Sequence, residues 1–263
     1  MLDKAARRQR DILRELLAGD CSTDGQRAEV EAHFRNMPER YWAGVDAATV
    51  RWHLGLVRTF LQCLDDDGEQ TLVPVVRWRH FPDRHVTEVG ICTWDRPGLL
   101  ARVAQAFASV GINILHAEVY RRSDNVMLAL FRVADRQLEF VPRERLLEEM
   151  VKTLAMLSGA EPEPVPSLPP PASGAGEAWV ECDTQGEPEH TVLMVEARDR
   201  VGLLHIIFRE INTAGLRVEL AIVTTENEVA GDVFFLTDAE GHKITDVICL
   251  EALCRKLRQA LAL

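Results

Sequence analysis

No stretch of this 263-residue chain runs apolar for the roughly 18 to 20 residues a membrane helix needs, because charges interrupt every few positions. Positive charge is also short: 30 Lys and Arg stand against 41 Asp and Glu, a formal charge of −11. Such a surface repels polyphosphate, so neither nucleic acid nor a membrane is expected as a partner. The start, Met1-Leu2-Asp3-Lys4-Ala5-Ala6-Arg7-Arg8, has no apolar h-region, and no secretory signal is expected. The six cysteines are scattered, without a C-x-x-C pair or a histidine at zinc-ligand spacing. They read as buried small hydrophobes of a chain in the reducing cytoplasm, and no metal or cofactor is expected. A G-x-S-x-G elbow and a P-loop are both missing, so two common catalytic devices are excluded.

What is present is a repeat. Asp95-Arg96-Pro97-Gly98-Leu99-Leu100, leading to Gly111-Ile112-Asn113-Ile114, returns as Asp199-Arg200-Val201-Gly202-Leu203-Leu204, leading to Gly215-Leu216-Arg217-Val218. The offset is 104 residues through Val119/Val223, and it becomes 103 where Phe131 matches Phe234. Identical glycines and apolar positions in register over about 35 residues indicate a duplicated domain. In each copy a strand ends at the Asp-Arg-x-Gly turn. Leu99, Leu100, Val103, Phe107 and Val110 then keep helical spacing, Gly111 and Gly215 supply left-handed caps, and two strands and a second helix follow. The unit reads β-α-β-β-α.

A fourth strand is expected from Val75-Val76-Arg77-Trp78 before the first copy and Trp179-Val180-Glu181-Cys182 before the second. Either each sheet is completed by its own preceding strand, or the two sheets exchange strands. The fold class is therefore α+β: two ferredoxin-like (βαββαβ) domains behind a helical N-terminal segment. Expected boundaries are 1–70 for the helical segment, 71–160 and 178–263 for the two domains, and 161–177 for a proline-rich linker. Three helices are expected in the first segment, over Ala5–Leu17, Gln26–Asn36 and Asp46–Leu64. The third carries one apolar face of Val50, Leu54, Val57, Leu61 and Leu64 beside a second of Trp52, Leu56 and Phe60. Two such faces mark a helical cap or a dimerisation element, through which a homodimer or a partner enzyme could attach.

The repeated turn in a β-α-β-β-α frame resembles the ACT domain, a small module that senses amino acids in metabolic enzymes. The tandem pair is similar to the C-terminal region of PII uridylyltransferase/uridylyl-removing enzymes, and the likeness extends to Met37-Pro38-Glu39-Arg40-Tyr41 and Val50-Arg51-Trp52-His53-Leu54. It covers roughly residues 34 to 263. The resemblance implies a ligand held between the turn of one repeat and the second strand of the other. Carried over, the sites are Asn113 with Asp199, Arg200, Gly202 and Leu203, and Arg217 with Asp95, Arg96, Gly98 and Leu99. The Asn113 site is expected to take a neutral amino acid, with glutamine first by that analogy.

Physically, a tight turn at glycine aims backbone N–H groups at a carboxylate, an aspartate can receive an ammonium, and the Asn113 amide donates and accepts. The competing reading makes Asp95 and Asp199 helix caps. Arg96 and Arg200 read as solvated or paired, and His53, His116 and His205 as hydrogen-bonded core or interface residues. The acidic run Asp65-Asp66-Asp67-Gly68-Glu69 reads as a solvated turn. No Gly-Ser dipeptide occurs and none of the eight histidines is followed by Asp, so both catalytic signatures of the uridylyltransferase family are missing. The chain reads as a non-catalytic, amino-acid-sensing regulator in nitrogen or amino-acid metabolism. Its rivals are an ACT-based scaffold without ligand, and an accessory subunit or fragment of a uridylyltransferase.

Overall fold

The 104-residue repeat folds into two sheets of the same design. The structure is a computed structural model, which describes residues 2–67, 73–81, 86–134, 144–157, 178–226 and 228–262. The proline-rich linker expected at 161–177 lies outside the described residues, as do Gly68 and Glu69 of the acidic run. The N-terminal helices are α1 (Leu2–Gly19), α2 (Asp24–Asn36) and α3 (Ala47–Asp67), with a 3-10 turn at Glu39–Ala43. The first repeat follows as β1 (Val75–Phe81), β2 (Val86–Trp94), α4 (Leu99–Ser109), β3 (Asn113–Arg121), β4 (Val126–Ala134) and α5 (Glu144–Leu157). The second comprises β5 (Trp179–Asp183), β6 (Thr191–Arg198), α6 (Leu203–Thr213), β7 (Arg217–Ile222), β8 (Thr225–Glu226), β9 (Val229–Thr237) and α7 (Val247–Leu261).

Strand order is β1-β2-β4-β3 in the first sheet and β5-β6-β9-β7 in the second, where β8 also pairs with β9. Each sheet is thus completed by the strand that precedes its repeat, which removes the alternative of strand exchange. Val180 pairs with Val195 and Cys182 with Leu193, so β5 is an antiparallel edge strand on β6. The same place is filled by a C-terminal strand in a βαββαβ unit; here the chain fills it from the other end. Sγ atoms of Cys182 and Cys254 lie 3.4 Å apart where β5 meets α7. Burial, expected of most of the cysteines, holds for Cys92 and Cys254, while Cys21, Cys63, Cys182 and Cys249 are half-buried.

The chain divides into two compact units. One gathers Met1–Arg77, Gly90–Asp95 and Tyr120–Ala129; the other holds Trp78–Val89, Arg96–Val119 and Leu130–Leu263. Within the first, Phe34 stacks on Trp42 at 4.2 Å and Tyr41 meets Trp42 and Tyr120 edge-on. Arg122, buried, grips Asp124 with two nitrogens at 2.7 and 3.0 Å and reaches His33 Nδ1 at 3.1 Å. A guanidinium only donates, so His33 Nδ1 accepts and Nε2 carries the proton toward Tyr41 Oη, leaving the phenol to donate to His53 Nδ1 at 2.7 Å. Burial and then the Arg122 charge hold His33 well below its ordinary pKa, which keeps this directional chain neutral at His33. Asn36 and Ser123 close the network, tying the end of α2 to the turn between β3 and β4.

On helix α3, Val50, Leu54, Leu56, Val57 and Phe60 of the two expected faces are buried and Trp52 is half-buried, whereas Leu61, placed by its spacing on the apolar stripe, is exposed. The other face explains itself through Gly90 on β2. A Cβ there would stand 2.5 Å from Leu56 Cδ1 and 2.7 Å from Trp52 Cη2, so α3 approaches the strand closely because Gly90 has no side chain. Phe60 meets Trp94 edge-on along the same contact.

In the second unit α4 packs against α6 and α5, and α6 also against α7. Helix α4 is buried almost throughout because Ala101, Ala104 and Ala108 alternate with Leu100, Val103 and Phe107. His205 Nδ1 donates to Ala101 O at 2.8 Å, a bond from α6 to α4.

Gly90→Ala is expected to lower stability by about 1–3 kcal/mol through overpacking against Leu56 and Trp52. Urea unfolding of the two proteins checks this; an unchanged midpoint would show that α3 does not need the close approach.

Candidate functional site

The two turns are built alike. Asp199 N–H donates to Glu228 O at 2.8 Å and Asp95 N–H to Asn125 O at 2.7 Å, and both acceptors have positive φ, 64° and 62°. Leu203 N–H then bonds Arg200 O, as Leu99 N–H bonds Arg96 O. Gly202 at φ 90° and Gly98 at φ 74° occupy the left-handed region that favours glycine, and each is the residue that starts its helix. The cap position thus belongs to glycine in both copies, and the aspartates do not cap. No side chain caps either helix start, so beyond Leu203 and Leu99, whose amides are bonded within the turns, the first-turn amides are left available to an anion.

Within the second unit, the turn Asp199–Gly202 faces the start of β3 across a small concavity open to solvent. Asn113 and Asp199 meet across it, with Asn113 Nδ2 donating to Asp199 Oδ2 at 2.7 Å. That bond fixes the amide, so Asn113 Oδ1 remains as an acceptor. Arg200 and Gly202 line the same space. Leu203 lines it too but is buried, so it contributes mainly backbone. Burial raises the Asp199 carboxyl above its ordinary value, with the Asn113 hydrogen bond pulling the other way. Burial also weakens Arg200's hold on its proton, although a guanidinium stays cationic.

The residues proposed for the mirror site are differently engaged. Asp95 is ion-paired with Arg121, and Arg217 donates to Ala239 O at 3.2 Å. Arg96 is lowered by burial and by the neighbouring Arg102 charge. Gly98 serves as the helix start and Leu99 is buried. Asn113, Asp199, Arg200, Gly202 and Leu203 are therefore brought together. Arg217 and Asp95 each hold a partner of their own.

Two residues of the concavity escaped the sequence reading. His205 was expected in the core, and its Nδ1 does bond Ala101 O; its Nε2, however, is buried without a hydrogen-bond partner beside the concavity. A carbonyl accepts, so the proton sits on Nδ1 and Nε2 presents a lone pair. Burial lowers the ring's pKa, which keeps it neutral. Asp232 on β9 is only 1% exposed, and neither carboxylate oxygen makes a hydrogen bond of ordinary geometry. Burial pushes its carboxyl up to about 7; the nearby Thr224 amide opposes this and the Asp199 charge adds to it. The signal lay in the repeat: at the 103-residue offset Asp232 stands where the first copy has Ala129. Among the described residues, no group of three or more His, Cys, Asp or Glu is placed to hold a metal ion, and no helix is long and apolar enough to cross a membrane.

A carboxyl raised from its ordinary range to about 7 stabilises the fold below that range and loses this contribution as pH climbs through 7. Asp232→Asn should therefore be more stable than the parent at pH 8, by about 2–4 kcal/mol, and unfold at a higher temperature, with the gap closing toward pH 4. Asp199, raised in the same direction, leaves part of the slope in the variant. Thermal unfolding from pH 4 to 8 checks this, and parallel curves would contradict it.

Residues 85–141 match the ACT domain, and residues 179–263 match an ACR9-like, ACT-like domain. A bifunctional uridylyltransferase/uridylyl-removing enzyme of Rhodospirillum rubrum is 30% identical over 257 residues, covering 92% of this chain and 25% of that protein. The enzyme of the same description from Azospirillum brasilense is 31% identical over 250 residues, 91% of this chain and 26% of that protein. The chain spans about a quarter of the length of these curated relatives. Among solved structures, aspartate kinase from Synechocystis has a TM-score of 0.40 and 17% identity, covering 67% of this chain and 27% of that one. The chain belongs to the ACT-domain family, carrying two ACT-type domains in tandem, and matches the C-terminal region of uridylyltransferase/uridylyl-removing enzymes.

Proposed function

We propose that this chain is a non-catalytic regulatory protein of nitrogen or amino-acid metabolism, working in the cytoplasm, which senses an amino acid at the Asn113–Asp199 site. Glutamine is the first candidate, by the family resemblance. The observation that carries the reading is the 2.7 Å bond from Asn113 to Asp199 across the concavity, since it joins residues 86 positions apart at the place where ligand chemistry converges. An α-ammonium would meet Asp199 and Asn113 Oδ1, while an α-carboxylate would meet the uncapped amides after Gly202 and the Arg200 guanidinium. Both matched family models are of ACT type, which supports sensing over catalysis. Because the site draws on β3 and α6, occupancy would bias how the two repeats' elements sit against one another, and this is the lever of regulation.

Calorimetric titration of the twenty amino acids against the chain should give one or a few binders, glutamine among them. Asn113→Ala should weaken that binding tenfold or more. No heat from any amino acid at millimolar concentration would sink the sensing reading. Incubation with PII protein, UTP and Mg²⁺ should give no uridylylation; turnover would overturn the non-catalytic assignment.

A further inference from the structure

Strand β9 turns Ala230, Asp232, Phe234 and Leu236 to the buried side, and Asp232 is the one ionisable residue in that row. A buried carboxyl without a hydrogen-bond partner is costly and uncommon in a folded protein. The sheet does not require it, because Ala129 occupies the corresponding position of the first repeat. Beside it in the concavity lie two further acceptors, the Nε2 lone pair of His205, itself buried and unpartnered, and the Asp199 carboxyl, together with the Thr225 hydroxyl, which can donate or accept. Two unpaired buried acceptors at one end of a small site call for an occupant that brings N–H donors to them.

We infer that Asp232 is the specificity-determining residue of this site, accepting a nitrogen donor from the ligand's side chain. The inference rests on the amino-acid-binding reading and deepens it. The ligand class is then an amino acid whose side chain ends in a carboxamide or an amine. With Asp232 ionised, as it mostly is at pH 8, a side chain ending in carboxylate would place like charge against Asp232 and a bare acceptor against His205 Nε2. Glutamine and glutamate, nearly equal in shape, are separated by this arrangement alone. Asp199 and Asn113 hold the part common to all amino acids, and Asp232 reads the part that differs.

Titration of glutamine and glutamate into the parent chain, Asp232→Ala and Asp232→Asn provides the test, with thermal unfolding of each ligand-free protein alongside. The parent should prefer glutamine by about 100-fold or more, in line with the rejection that an unpaired hydrogen-bonding site imposes. Asp232→Ala should reduce that preference to within about tenfold by losing glutamine affinity, and Asp232→Asn, able to donate, should gain glutamate affinity. Both variants should unfold at or above the parent's temperature near pH 8, so that lost affinity is not lost fold. If the parent binds no amino acid, the functional reading and this inference fall together. If the parent binds glutamine while both variants keep its glutamine-to-glutamate ratio, or lose every amino acid alike, the specificity role is overturned and the sensing reading stands.

Discussion

The packing of α4 against α6 is the contact on which the site depends. Helix α4 delivers the chain to Asn113 at the start of β3, and α6 starts directly after the turn that holds Asp199, Arg200 and Gly202. Alanines on α4 allow the close approach, and the His205 to Ala101 bond ties the two helices. Any sliding of one helix on the other would separate Asn113 from Asp199. The same contact therefore stabilises the second unit and sets how Asn113 meets Asp199.

Duplication supplies two copies of the turn, and in one of them the aspartate meets the asparagine of the other repeat. Both turns have the same glycine, the same backbone bonds and the same positive-φ acceptor. The side chains around them have diverged: Asn113 corresponds to Arg217 and Asp232 to Ala129. Where the second copy keeps a buried carboxyl without a partner, the first has replaced it with a methyl group. Where the first offers an amide, the second offers a guanidinium already bonded to Ala239 O.

The N-terminal helices belong to this architecture rather than standing apart from it. Gly90 admits α3 to the face of β2, and Arg122, His33, Tyr41 and His53 form a directional hydrogen-bond chain beneath it. The helical cap anticipated from two apolar stripes is a set of helices whose core includes strand residues 90–95 and 120–129. The alternative of a dimerisation element came from the same stripes, because a helix buried on two sides reads identically whether its partner is its own sheet or another chain.

Periodicity and the repeat were enough to establish the strands, the helices and the two turns, since amphipathic spacing and left-handed glycines are local properties. The residues Asn113 and Asp199 were legible as one site only because a family resemblance paired them; nothing in the spacing links positions so far apart. His205 and Asp232 were not legible as site residues at all, because a histidine on an apolar helix and an acid in a strand acquire meaning only from what surrounds them. Strand exchange was left open for a similar reason: a strand's sequence states that it will pair and not with which sheet. Local chain chemistry determined the units, and tertiary packing decided which groups were buried, which were satisfied, and which were left without a hydrogen-bond partner.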